Sequence, residues 1–285
     1  MQLEGDNIDA LNSLAACIKQ TMLPGQALFE KIYPLYEKAL QVDPEDFETN
    51  FNLGILYYEH LKDLDKAIGY LKLAVSEEKN PTALFNLAVI YEEKGERSRA
   101  KECYQEVLSV DANHFKSKVN LAILLDKEGR GADALDFYRE ALHANPRDAR
   151  IHHNLGINMK RAGRLEDALK YYKRAIELDP ENSLVFYNTG ILYNILSDYQ
   201  SGADALEASI RINKHNTYAY LALGDALERA KDLQRAINVY KELYNSGIQV
   251  HGLKEKISYL DNVLASQKRS GAPPAPMMSK SASAF

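Results

Sequence analysis

Residues 149–182 read ARIHHNLGINMKRAGRLEDALKYYKRAIELDPEN, and this stretch decides the architecture. Its apolar side chains recur at helical spacing in two runs. The first carries His152, Leu155 and Met159, and the second carries Leu165, Ala168, Tyr172, Ala175 and Ile176, the stripe of an amphipathic helix. Gly163 stands between them, because a residue free to take positive φ ends a helix at little cost. Asp179-Pro180 ends the second run, since proline lacks an N–H and disfavours helical backbone in the residue before it. The stretch reads as a helical hairpin.

Outward from it, the hairpin recurs every 34 residues. A small residue returns at Gly54, Ala88, Ala122, Gly156, Gly190 and Gly224, preceded by Leu53, Leu87, Leu121, Leu155, Thr189 and Leu223. An aromatic series runs Tyr36, Tyr70, Tyr104, Tyr138, Tyr172, Leu206 and Tyr240, and a second small series runs Ala100, Ala134, Ala168, Gly202 and Ala236. Self-similarity at such a period marks a stacked-repeat architecture. The small residues let two helix backbones approach, and the tyrosines fill the space beside that contact. Seven units fit between Ser13 and Val250 without a net gap.

Leu155-Gly156, Ala168, Tyr172, Ala175 and Pro180, with their equivalents in the neighbouring units, resemble the tetratricopeptide repeat family. The resemblance implies an all-α fold, a right-handed α-solenoid of about seven helix pairs with a concave inner groove. The reading divides the chain into a segment 1–12, a degenerate first repeat 13–46, six repeats over 47–250, a capping helix 251–267 and a disordered tail 268–285. The first repeat keeps Tyr36, Ala39 and Pro44 but has a poor first helix and the interruptions Pro24-Gly25 and Pro34. In the next repeat the loop between the helices is one residue longer, so Ala67 takes the place due to Lys66. A solenoid needs its ends covered. After Val250, Leu253, Ile257, Leu260 and Leu264 form one apolar stripe on a helix suited to that task. The tail, with Ala272-Pro273-Pro274-Ala275-Pro276 and several serines, has nothing to bury.

Composition narrows the function classes. With 35 Lys plus Arg against 40 Asp plus Glu the net charge is −5, so no global field draws a phosphate backbone and no nucleic-acid partner is expected. The 15 Gly and 9 Pro are too few for many short strands. No apolar run approaches the ~18 residues that a bilayer span requires, so no membrane insertion is expected. Met1–Asp6 is acidic and lacks a basic-then-apolar signal. Cys17 and Cys103 stand in no metal-ligand spacing. These features point to the cytoplasm with reduced thiols, the nucleus or a ciliary or cytoskeletal site being the alternatives, and to a chain with no cofactor and no metal.

Nothing marks an enzyme. His152 and His153 are adjacent on a helix and point apart, His153 toward the groove and His152 toward the core. Gly129-Arg130-Gly131 lies in a loop between paired helices and follows no strand, which excludes a dinucleotide fingerprint. No nucleophile is placed beside a base.

By the resemblance, the first helix of each pair faces the groove. Two places before the small residue the chain carries Asn52, Asn86, Asn120, Asn154 and Asn188, then Ala222. The place just after the small residue carries Ile55, Val89, Ile123, Ile157 and Ile191, and the place before the asparagine carries Phe51, Phe85, Val119, His153 and Tyr187. An asparagine amide both accepts and donates, so it pairs with a peptide backbone without reading sequence. The same asparagines could equally brace neighbouring helices. Five rungs at about 0.5–1.5 kcal/mol each barely offset the cost of ordering a peptide. Apolar anchors at Phe51, Phe85, Ile123, Ile157 and Tyr187 must then supply the affinity. Early repeats place Glu48, Glu59, Glu92 and Glu93 toward the groove; the middle ones place Lys116, Lys127, Arg150, Lys160 and Arg161 there, which suits a partner's acidic stretch lying over the middle repeats. The family's two-carboxylate clamp for chaperone C-terminal tails is not matched, since Phe51, Phe85, Val119, His153, Tyr187 or Leu221 stand where its first lysine belongs. The expected function is a non-catalytic protein–protein interaction module or scaffold that binds a partner's peptide segment in the groove. The alternative is a structural subunit of a larger assembly, ciliary, microtubule-associated or transport, using its convex and end surfaces.

Overall fold

The described residues of the computed structural model, 7–20, 25–77 and 79–270, fold into helices without a strand. The helices gather into two compact units, Met1–Pro146 and Arg147–Phe285. The first contains α1 (Ile8–Lys19), α2 (Gly25–Val42), α3 (Phe47–Leu56), α4 (Leu64–Glu77), α5 (Pro81–Glu93), α6 (Arg97–Val110), α7 (Phe115–Lys127) and α8 (Gly131–Ala144). The second contains α9 (Ala149–Arg161), α10 (Leu165–Leu178), α11 (Ser183–Ile195), α12 (Tyr199–Ile212), α13 (Thr217–Arg229), α14 (Leu233–Asn245) and α15 (Leu253–Ser270). Within each unit successive helices pack in pairs, and each second helix packs on the first helix of the next pair.

The same chemistry starts most first helices, α11 with Asn182 being the exception. Asp46, Asn80, His114, Asp148 and Asn216 occupy one place in the repeat, and each accepts a backbone N–H of the first turn. These bonds satisfy donors that have no partner inside the helix. One left-handed residue ends it: Gly95, Gly129 and Gly163, then Ser197 and Lys231 at φ of 63° and 64°.

Close approach of the paired helices is visible at the small series. A methyl group at Gly54 would lie 2.6 Å from Leu71 Cγ and one at Gly190 would lie 2.5 Å from Leu206 Cγ. At Gly156 and Gly224 it would run into the rings of Tyr172 and Tyr240. Tyr104, Tyr138, Tyr172 and Tyr240 are among the largest fully buried side chains. Burying such a side chain contributes on the order of 1.5–3 kcal/mol, so the periodic tyrosines are the principal mortar of the stack.

Two expectations need correction. Tyr70 is half-buried, and fully buried Leu71 holds its place in the core. The cause is the extra residue in that repeat, which is accommodated as a single π turn over Tyr57–Leu61 after α3, closed by Lys62 at φ 55°. Such a turn absorbs one residue without ending the helix. Helix α5 begins at Pro81, four residues after α4 ends at Glu77, whereas α7 and α9 begin five residues after the helices before them, which restores the period. The opening repeat is also better formed than its sequence suggests. Helix α1 begins at Ile8, ahead of the expected boundary at Ser13, and α2 runs through Pro34. Pro24 lies outside the described residues.

At the other end Leu253, Ile257 and Leu260 of α15 are buried in one cluster with Leu233, Ile237, Tyr240 and Leu243, and Leu264 packs against it half-buried. Helix α15 continues to Ser270, past the expected end at 267. The tail expected to be disordered falls, beyond that residue, outside the described residues.

Candidate functional site

In the first unit the nominated residues lie on α3, α5 and α7. Phe51, Asn52, Phe85, Asn86, Asn120 and Ile123 are half-buried, Lys116 is exposed, and Ile55 and Val119 are buried. The apolar strip is therefore interrupted. Phe85 is wedged between the rings of Tyr104 (5.9 Å) and His114 (5.2 Å), with Lys116 Nζ 6.0 Å from its centroid. Phe51 stacks on Phe47 at 5.9 Å.

The asparagines of this unit differ in what they leave open. Asn120 Nδ2 donates to Tyr104 Oη at 2.9 Å, tying α7 to α6. Asn86 Nδ2 donates to the Thr82 carbonyl of its own helix at 2.9 Å, which leaves its carbonyl and second N–H open. Asn52 has no hydrogen-bond partner among the described residues. Bracing and open rungs thus coexist at one sequence place.

The charges expected to face a partner are largely engaged between hairpins. Lys127 Nζ lies 3.4 Å from Glu92, and Glu92 also accepts from Tyr104 Oη at 3.2 Å. Tyr58 Oη donates to Glu93 at 2.8 Å. These are exposed or half-exposed links, worth about 0–1 kcal/mol each, and they fix side-chain directions more than they stabilise.

In the second unit His153 departs from expectation. It is buried rather than a groove polar residue, its ring centroid 5.8 Å from that of Tyr172 and its Nε2 2.8 Å from Asn188 Nδ2. Burial, helped by the charge of Lys160, holds its pKa below the usual imidazole value, so a neutral ring accepts from the Asn188 amide. The period brings the two together, and Asn188 is therefore a brace like Asn120. Asn154, Ile157 and Tyr187 are half-buried, and Asn154 has no hydrogen-bond partner among the described residues. Arg150 spends its guanidinium on its own N-cap, with Nη2 2.7 Å and Nε 3.2 Å from the Asp148 carboxylate. Lys160 is half-buried, and Arg161 beside it is exposed. Burial, followed by the charge of Arg161, lowers the Lys160 pKa.

One polar series escaped the sequence reading as a series. Four places after the small residue stand Glu92, Asp126, Lys160, Asn194 and Glu228, on the hairpins whose second helices carry Tyr104, Tyr138, Tyr172, Leu206 and Tyr240. Glu92 accepts from Tyr104 Oη, and Glu228 accepts from Tyr240 Oη at 2.6 Å while pairing with Lys256 at 2.7 Å. Tyr172 Oη is buried without a hydrogen-bond partner. The signal was available as a mostly acidic place in the period broken by Lys160 and Asn194, but only with the tyrosine hydroxyls placed does its meaning appear.

Among the described residues no cluster of His, Cys, Asp or Glu could hold a metal ion, and no helix is long and apolar enough to cross a membrane. Each unit is a stack of helical hairpins whose first helices carry half-buried polar and apolar side chains. Sequence profiles of the tetratricopeptide repeat match residues 149–182, residues 85–149 and 196–249, and residues 35–69 and 171–202. The chain belongs to the tetratricopeptide repeat family.

Solved structures agree on the fold. A tetratricopeptide repeat protein from Parabacteroides merdae ATCC 43184 is 18% identical with a TM-score of 0.65, covering 89% of this chain and 98% of its own. YrrB, described as a TPR protein with an unusual peptide-binding site, is 22% identical with a TM-score of 0.55, covering 66% of this chain and 96% of its own. The APC/C hetero-tetramer Cut9–Hcn1 gives 16% identity and a TM-score of 0.63, covering 88% of this chain and 48% of the matched one.

Proposed function

We propose that this protein is a non-catalytic interaction module that holds a segment of a partner protein along the first helices of its repeats. The observation that carries the reading is the pair of unspent amides, Asn52 and Asn154, one in each unit and each beside half-buried apolar side chains (Phe51, Ile157) on the same helix. Asn86 contributes its open carbonyl and N–H in the same way. A peptide backbone offers the complementary donors and acceptors, and its side chains would rest on Phe85, Ile123 and Tyr187. Family membership supports the reading, as does the peptide-binding site described for YrrB.

The experiment follows from the division of the asparagines. Asn52, Asn86 and Asn154 changed together to Ala leave the bonds from Asn120 and Asn188 intact, so the fold should hold. Partners captured by the unaltered protein should be lost or weakened about tenfold or more, as expected for several net hydrogen bonds. Unchanged capture by a triple variant with unchanged circular dichroism would overturn the reading.

A second reading, a structural subunit of an assembly, has an observation of its own. Leu184, Ile195 and Tyr218 are exposed on the first helices α11 and α13, but Leu73, Val110, Tyr244 and Tyr259 on α4, α6, α14 and α15 are exposed large apolar side chains off that strip. They favour contacts through second helices and the capping helix. Loss of a partner on changing Leu73 and Tyr259 to Ser, with the asparagine triple variant unaffected, would establish that reading instead.

A further inference from the structure

The repeat places a carboxylate against a buried tyrosine hydroxyl and, in one hairpin, replaces it with a cation. Tyr104 Oη donates to Glu92 and Tyr240 Oη donates to Glu228. Tyr172 is equally buried, yet the residue in the carboxylate's place is Lys160, and the hydroxyl has no partner. A buried donor left without an acceptor is costly, and native structures rarely tolerate it without a reason.

The charges that α9 itself offers are all positive. Helix α9 has no acidic residue and ends in Lys160-Arg161. Lys160 is half-buried and has no salt bridge among the described residues. His153, against the Tyr172 ring, already uses its Nε2 on Asn188. Two donors, an ammonium and a phenol, therefore lack an anion that the sister hairpins carry in their own sequence.

We infer that the Lys160–Tyr172 position is a carboxylate-binding site, filled by an acidic side chain of a partner segment lying on α9. This rests on the reading of the first-helix face as a peptide surface and names the chemistry it selects there. The partner's Asp or Glu supplies the oxygen that Glu92 and Glu228 supply in their own hairpins. Tyr172 Oη is closed to solvent in the free chain, so the carboxylate reaches it as the flexible Lys160 side chain swings aside and then pairs with it. Lys160 lies in the middle of the first-helix face, where an internal acidic side chain of an extended segment reaches it more readily than a single chain terminus does.

The test uses the full chain and three fluorescein-labelled peptides. One alternates Leu and Glu and is amidated at its end; the second carries Gln in place of Glu; the third is the Gln peptide with a free terminal carboxylate. Polarisation should show the Glu peptide binding about tenfold or more tighter than the Gln peptide, the worth of a charge-assisted hydrogen bond. Lys160→Met and Tyr172→Phe should each remove most of that preference. The Tyr172→Phe variant should melt no lower than the parent, because it deletes an unpaired hydroxyl. The inference is overturned if the Glu peptide fails to bind, if both variants keep the preference, or if the free-carboxylate Gln peptide binds as tightly as the Glu peptide. If Glu and Gln peptides bind alike and both are lost on Asn154→Ala, the carboxylate site fails while the peptide surface stands.

Discussion

Gly156→Ala and Gly69→Ala make the same chemical change and should act with opposite signs. In a helix interior, Gly→Ala is worth roughly 0.5–1 kcal/mol in favour of Ala through backbone entropy. At Gly69 on α4 a methyl group meets nothing within 4 Å, so that gain should appear in full. At Gly156 the methyl runs into the Tyr172 ring, which is fully buried and has little room to turn. Forcing a methyl into a packed core costs about 1–3 kcal/mol. Subtracting the propensity gain leaves a net loss of about 1 kcal/mol, rising toward 2 if the ring stays in place. The loss is bounded because α5 and α7 carry buried Ala88 and Ala122 at the same place in hairpins that also bury Tyr104 and Tyr138, so this hairpin architecture accommodates a methyl there. Urea unfolding followed by circular dichroism reads both variants. With slopes of about 1–3 kcal/mol per molar, Gly156→Ala should lower the midpoint by a few tenths of a molar or more and Gly69→Ala should raise it. A shift of the same sign in both variants would refute the argument that the small series exists for helix contact.

Three further outcomes follow from the same geometry. Ser197→Gly and Lys231→Gly should each raise stability by about 0.5–1 kcal/mol, since both side chains sit at positive φ where the sister hairpins use glycine; a lower melting temperature in either would contradict this. Asn120→Ala should cost about 0.5–1.5 kcal/mol through the lost bond to Tyr104, whereas Asn154→Ala should be nearly neutral in the free chain. His153 is held below the usual imidazole pKa, so below about pH 6.5 the unfolded chain takes up its proton before the folded one does. The stability it contributes is complete above that value and is lost as pH falls toward the folded pKa. His153→Gln should therefore flatten the decline in melting temperature between about pH 7 and pH 5; an unchanged slope would show that His153 does not titrate as its burial requires.

Much of the fold was legible because the period repeats its own evidence in hairpin after hairpin. Tyr104, Tyr138, Tyr172 and Tyr240 could be placed in the core from spacing alone, and the stripe at Leu253, Ile257 and Leu260 announced the terminal helix. Tyr70 was misplaced because an insertion absorbed inside a helix and one absorbed in a loop look identical in sequence; only the π turn at Tyr57–Leu61 distinguishes them. The candidate surface was less legible. Five asparagines share one place, yet their roles diverge: Asn120 finds a hydroxyl, Asn188 finds an imidazole, and Asn52 and Asn154 have no hydrogen-bond partner among the described residues. Those partners lie some 16–35 residues away. The basic character expected of Lys127 and Arg150 was likewise diluted by Glu92 and Asp148, whose reach depends on rotamers that spacing does not encode.

Site-specific photo-crosslinking would test the central claim most directly. A photoreactive phenylalanine analogue placed at Asn86 or Asn154 reports on the first helices, and one placed at Leu73 or Tyr259 reports on α4 and the capping helix. If the first helices hold a partner segment, crosslinks to a captured partner form from 86 and 154 and are scarce from 73 and 259. The reverse pattern would contradict the account and assign the work of this protein to its outer surfaces.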